Sequence, residues 1–118
     1  MPAHKLDNYL RMHRKRSGFS QDELAYLLGT RDGAKVSRYE RSGRQPSLET
    51  ALAYRAIFKI PAEQLFAGRF QKVDRAVTRR ARFLAQKLSG RPQTPRLSRK
   101  LEALAAIREL AAPPAPTP

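Results

Sequence analysis

The sequence predicts an all-α protein, with five short helices followed by a basic helical C-terminal extension. Three observations carry this prediction. Apolar residues recur at helical spacing along most of the chain, including its charged second half from Phe70 to Leu88. Helix start and stop signals bracket the segments, most clearly Ser20 with Glu23 at one end and Gly29 at the other. The length of 118 residues supports one compact domain plus extensions.

The first helix is expected over Lys5 to Arg16. Leu6, Leu10 and Arg14 share one face, Met12 and His13 flank it, and Ser17-Gly18 ends it. The second runs from Ser20 to Leu28. Ser20 and Glu23 form a capping box, in which each side chain satisfies the other's backbone N–H. Phe19 and Leu24 form a hydrophobic staple, and Leu24, Ala25, Leu27 and Leu28 make the buried stripe. Gly29 tolerates the positive φ that closes a helix. Thr30 to Gly33 then makes a turn, with Asp32 as N-cap of a third helix over 33–41. Val36 and Tyr39 point inward there, while Ala34, Lys35, Ser37 and Arg38 point outward, and Ser42-Gly43 ends the helix. Pro46-Ser47 opens a fourth helix with Leu48, Leu52, Ile57 and Phe58 as core residues. Pro61 opens a short fifth, in which Leu65 and Phe66 close the core.

After Gly68 the composition shifts. From Arg69 to Lys100 there are eleven basic residues, and Asp74 is the sole acid. Phe70, Val73, Val77, Ala81, Leu84 and Leu88 nevertheless keep helical spacing, so an amphipathic basic helix is expected, ended by Ser89-Gly90-Arg91-Pro92. Its apolar stripe should pack within the chain or against a second copy. Leu97, Leu101, Leu104, Ile107 and Ala111 mark a further helix, and the Pro-rich tail should be disordered. These shifts divide the chain into a domain over 1–67, a basic amphipathic helical extension over 68–111 and a tail over 112–118.

Charge narrows the function classes. Lys and Arg number 24 against 10 Asp and Glu, a formal net charge of +14. A balance this basic calls for a polyanionic partner, and nucleic acid is the default. No apolar run approaches the ~20 residues of a membrane span. No signal-peptide core follows Met1, and there is no cysteine. These features fit a cytoplasmic protein. His4 and His13, the sole histidines, lack the cysteine or carboxylate neighbours of a metal site. No His-Glu-x-x-His, nucleophile elbow or Gly-rich phosphate loop occurs, so no enzyme, metal, cofactor or small-molecule ligand is expected.

Several motifs occur in order: Arg14, Ser20-Gln21-Asp22-Glu23-Leu24-Ala25, Gly29, Val36-Ser37-Arg38-Tyr39-Glu40, and Arg44-Gln45-Pro46-Ser47-Leu48. In this the chain resembles the Cro/repressor-type, XRE-like helix-turn-helix regulators over roughly Leu6 to Phe66. The first five helices are then a repressor-like DNA-binding domain. Gly29 to Glu40 is one residue longer than the family spacing, which lengthens the turn at Thr30 to Gly33. Lys59 stands where Gly commonly ends helix four, at a cost of about 1 kcal/mol if φ is positive there.

The resemblance implies double-stranded DNA as partner, with the third helix in the major groove. Arg38 would contact a base or a phosphate, an Arg being able to bridge guanine O6 and N7. Lys35 and Ser37 share its exposed face, and Ala34 could meet a thymine methyl. Gln21 would bind a backbone phosphate, while Arg44 and Gln45 would supply register. Arg41 and Arg31 are weaker versions of the same idea. Arg14 and Glu40 would form a partly buried structural ion pair. The expected function is a sequence-specific transcriptional regulator that binds two half-sites as a homodimer. Two alternatives stand beside it: an antitoxin-like or bridging protein-interaction module, and a general nucleic-acid binder driven by charge.

Overall fold

In a computed structural model of the chain, residues 6–108 are described, and they hold seven helices and no strand. The helices are α1 (Leu10–Ser17), α2 (Gln21–Leu28), α3 (Gly33–Glu40), α4 (Leu48–Phe58), α5 (Ala62–Leu65), α6 (Ala67–Ser89) and α7 (Pro95–Ala106). The described residues divide into two compact units, with the boundary between Arg69 and Phe70 in the first turn of α6. The expected tail over 112–118, together with His4, Lys5 and Ala111, lies outside the described residues.

The first unit is built around Leu10, Leu24, Ala25, Val36, Tyr39, Tyr54 and Leu65, all buried, with Leu28, Ile57, Phe58, Ile60 and Phe66 packed against them. Tyr54 is fully buried and lies at its centre, with ring centroids 6.4 Å from Tyr39, 6.0 Å from Phe58 and 6.4 Å from Phe66.

Local chemistry explains the element ends. Ser20 Oγ accepts from Glu23 N–H and Glu23 Oε1 accepts from Ser20 N–H, a closed capping box at α2. Asp32 and Ser47 cap α3 and α4 with one side-chain acceptor each, Asp32 for Ala34 N–H and Ser47 for Thr50 N–H. Gly29 ends α2 at φ 78°, and its N–H and that of Thr30 turn back to the Tyr26 and Ala25 carbonyls.

Several sequence expectations need correction. The first helix begins at Leu10, not Lys5. Tyr9 N–H donates to the Leu65 carbonyl (2.8 Å) and Gly68 N–H to the Leu6 carbonyl (2.9 Å). Backbone groups used this way cannot also serve a helix. Leu6 is correspondingly exposed. On α4, Leu48 and Leu52 are exposed and Tyr54 takes the core position. Apolar residues surround this helix, so spacing alone does not choose the buried face. Leu27 is exposed beside Tyr26 on the outer face of α2.

In the second unit, α7 ends at Ala106, and Ile107 is extended at ψ 100°. Thr94 caps this helix and Pro95 opens it. The buried face of α6 carries Thr78, Ala81 and Leu88. Ala81 and Ala85 line a groove with Leu101 and Leu104 of α7, small residues opposite large ones. Val73, Val77 and Leu84, expected to be covered, are 54%, 42% and 45% exposed. The buried face shares Ala81 and Leu88 with the expected stripe but is turned toward Thr78, which leaves Val73, Val77 and Leu84 at its edge.

Candidate nucleic-acid interface

The helix that would read DNA is positioned by three polar attachments. The first is Arg14, whose Nε donates to Glu40 Oε2 at 2.6 Å and whose Nη2 donates to Oε1 at 3.2 Å. Its Nη1 donates to the Phe19 carbonyl at 3.0 Å, so one guanidinium ties α1 to the start of α2 and the end of α3. Hydrogen bonding to Glu40 raises the Arg14 pKa above its ordinary value, which keeps the charge fixed.

The second attachment is at the other end of α3. Asp22 Oδ1 accepts from Gly33 N–H at 2.9 Å, across the turn from α2, and Asp32 Oδ1 accepts from Ala34 N–H at 3.0 Å. A side chain at Gly33 would not fit, because a Cβ there would stand 2.7 Å from Asp22 Oδ1 and 2.9 Å from Gln21 Cβ. Gly33 thus lets the two helices touch after a four-residue turn, Gly29 to Asp32. The third attachment is Asn8, whose Nδ2 donates to the Tyr39 carbonyl at 2.9 Å. Its Oδ1 also accepts from Leu10 N–H. Nothing in the sequence pattern marked Asn8 or Asp22, since both act through contacts between separate segments.

Val36 and Tyr39, both buried, set the phase of α3. The opposite face then carries Ala34 and Arg38, both exposed, with Ser37 half-buried beside them. Arg41, the C-cap, continues the same face one turn on, and its Nε donates to the Ser37 carbonyl at 3.3 Å. Its spacing from Arg38 and Ser37, three and four residues, places it there. Lys35 lies at the edge of this face and is half-buried.

Gln21 opens α2, and its Nε2 donates to Glu40 Oε1 at 3.2 Å. The amide is therefore held against the Arg14–Glu40 pair. Arg44 and Gln45 are exposed in the loop after α3, which Ser42 enters at φ 59°. Arg31 is exposed in the turn before α3. His13 is buried next to Phe58, with ring centroids 5.6 Å apart, and belongs to the core. Among the described residues no group of three or more His, Asp or Glu could hold a metal ion, and no helix is long and apolar enough to cross a membrane.

A short helix seated on a second one across a tight turn, with its outer face free and basic, defines the helix-turn-helix class. Residues 8–65, just under half of the 118-residue chain, match the family model described as a helix-turn-helix domain. Over these residues the chain is similar to helix-turn-helix domains, and the match is consistent with the XRE-like branch. No curated protein and no solved structure matches the chain.

Proposed function

We propose that the protein is a sequence-specific DNA-binding transcriptional regulator of the cytoplasm. In this reading α3 enters the major groove, and Ala34, Ser37 and Arg38 meet base edges, with Lys35 at the rim. Gln21, Arg44 and Gln45 hold backbone phosphates and set the register. Regulation follows from occupancy of a site that polymerase needs. A homodimer would place two copies of α3 on half-sites about one helical turn apart, ~34 Å. A helix-turn-helix domain is a DNA-binding unit, and the net charge of +14 suits a polyanion.

The observation that carries this reading is the row of exposed Ala34 and Arg38 with half-buried Ser37, on a helix clamped at both ends by Asp22 and Arg14. Rigid presentation of a small residue, a hydroxyl and a guanidinium suits base reading better than charge alone does. Selection of bound duplexes from a random-sequence pool at physiological salt tests it. A palindromic consensus is expected, and the absence of any consensus contradicts it.

One observation favours a second reading, a protein-interaction role for the extension. Val73, Val77 and Leu84 form an exposed apolar row on α6. Sedimentation of the full chain against Val77→Lys checks it. A drop in mass on substitution supports a contact between copies. Unchanged monomers in both exclude that contact between copies.

A further inference from the structure

The basic surface of α6 is a feature that the base-reading helix does not use. Side chains on this 23-residue helix sort into three arcs. Thr78, Ala81 and Leu88 are buried on one, and Val73, Val77 and Leu84 form the apolar row beside it. The remaining arc is wide and carries Arg79, Arg80, Arg82 and Lys87, all exposed. Arg79 and Arg82 continue the row begun by Lys72 and Arg75 at alternating three- and four-residue steps, while Arg80 and Lys87 are two turns apart on the neighbouring row. The side chains of Arg79, Arg80, Arg82 and Lys87 form no ion pair or hydrogen bond with other described residues. Asp74, the sole acid on α6, is half-buried and shares its side of the helix with Thr78 and Ala81. Among the described residues, Arg79, Arg80, Arg82 and Lys87 therefore place like charges near one another with no carboxylate in contact with them.

We infer that this arc of α6 is a second, sequence-independent contact of the chain to the phosphate backbone of duplex DNA. The inference rests on the DNA-binding reading of the first five helices, which tethers the arc to DNA already held and raises its effective concentration there. Rows of Arg and Lys repeating along a helix edge match a line of phosphates and carry no base information. The chemistry favours a duplex over a single strand. Platforms for single strands line a groove with successive aromatic rings, and this arc offers one, Phe83, 66% exposed.

The test uses the full chain with Arg79→Gln, Arg80→Gln, Arg82→Gln and Lys87→Gln combined, all at exposed helix positions. Binding to a selected duplex and to its scrambled version is followed by fluorescence anisotropy over a range of salt. Each phosphate contact contributes about 0.9 to the slope of log affinity against log salt, so loss of four contacts is expected to flatten the slope by about 3.6. Both duplexes should weaken by the same factor, leaving their ratio unchanged. An unchanged slope overturns the inference. So does a loss confined to single-stranded RNA, or to anionic phospholipid vesicles, with duplex binding intact. Arg38→Ala on the same duplex pair separates the two readings. If it leaves the affinity ratio unchanged while the α6 variant flattens the slope, the base-reading claim fails and the backbone contact stands. If it lowers the ratio while the α6 slope holds, the reverse follows.

Discussion

Arg14 and Glu40 meet side-on, Nε to Oε2 at 2.6 Å and Nη2 to Oε1 at 3.2 Å, with Glu40 only 2% exposed at its side chain. A carboxylate this deep is tolerable because the guanidinium and the Gln21 amide both donate to it. Arg14→Ala strands that charge and should lower stability by ~3–5 kcal/mol. Arg14→Met combined with Glu40→Leu should cost much less, because no charge is left unpaired. Urea unfolding of the four members of the cycle checks this, and equal losses for the single and double variants would contradict a coupled pair.

Gly33 is where the two helices of the motif touch. Ala there would press on Gln21 Cβ and Asp22 Oδ1, and Gln21 Cβ has no free rotation by which to retreat. Gly33→Ala should cost ~1–3 kcal/mol of stability through overpacking. Because α3 must shift to relieve the contact, affinity for a selected duplex should fall even under conditions where the variant is fully folded. Thermal melts and binding assays on the same samples measure the two losses separately.

His13 should make stability depend on pH. Burial, aided by the nearby Arg16 charge, holds the imidazole below its ordinary value of 6.5. The unfolded chain then binds this proton more readily than the folded one. The contribution of neutral His13 is full above pH 6.5 and is lost as pH falls through the folded value. His13→Phe, which keeps a ring against Phe58, should flatten stability between about pH 7.5 and pH 5. Equal pH dependence in both proteins would assign the effect to other groups.

Lys59 ends α4 at φ 58°, a left-handed conformation that suits glycine. Its backbone N–H closes the helix on the Arg55 carbonyl at 2.8 Å, a bond that any residue can make. Lys59→Gly should therefore raise the melting temperature, with a gain of at most ~1 kcal/mol. A lower melting temperature would mean that the lysine side chain carries stability of its own.

Local signals were the legible part of the fold. The Ser20–Glu23 box, the Asp32 and Ser47 caps and the inward pair Val36 and Tyr39 all act within a few residues of themselves. Contacts between distant segments were not legible. The Tyr9–Leu65 and Leu6–Gly68 backbone bonds hold residues 6–9 out of a helix that their spacing invited. On α4 and α6 more positions are apolar than the core can cover, so the buried face was settled by packing: Tyr54 over Leu48 and Leu52, and Thr78 with Ala81 over Val73 and Val77. In the candidate interface, the exposed face of α3 followed from Val36 and Tyr39 alone. Its anchoring by Asp22 and Asn8 required three-dimensional contacts, whereas the place of Arg41 on the face follows from its spacing to Arg38 and Ser37.

Whether α3 reads bases is decided at Arg38. Affinities of the unaltered chain and of Arg38→Ala should be measured on a selected duplex and on a panel with each position substituted in turn. A loss of ~1–3 kcal/mol is expected on the selected duplex, with discrimination relaxed at one position of each half-site and kept at the others. A uniform loss across the whole panel, with every preference intact, would make Arg38 a phosphate contact and contradict base reading by this residue.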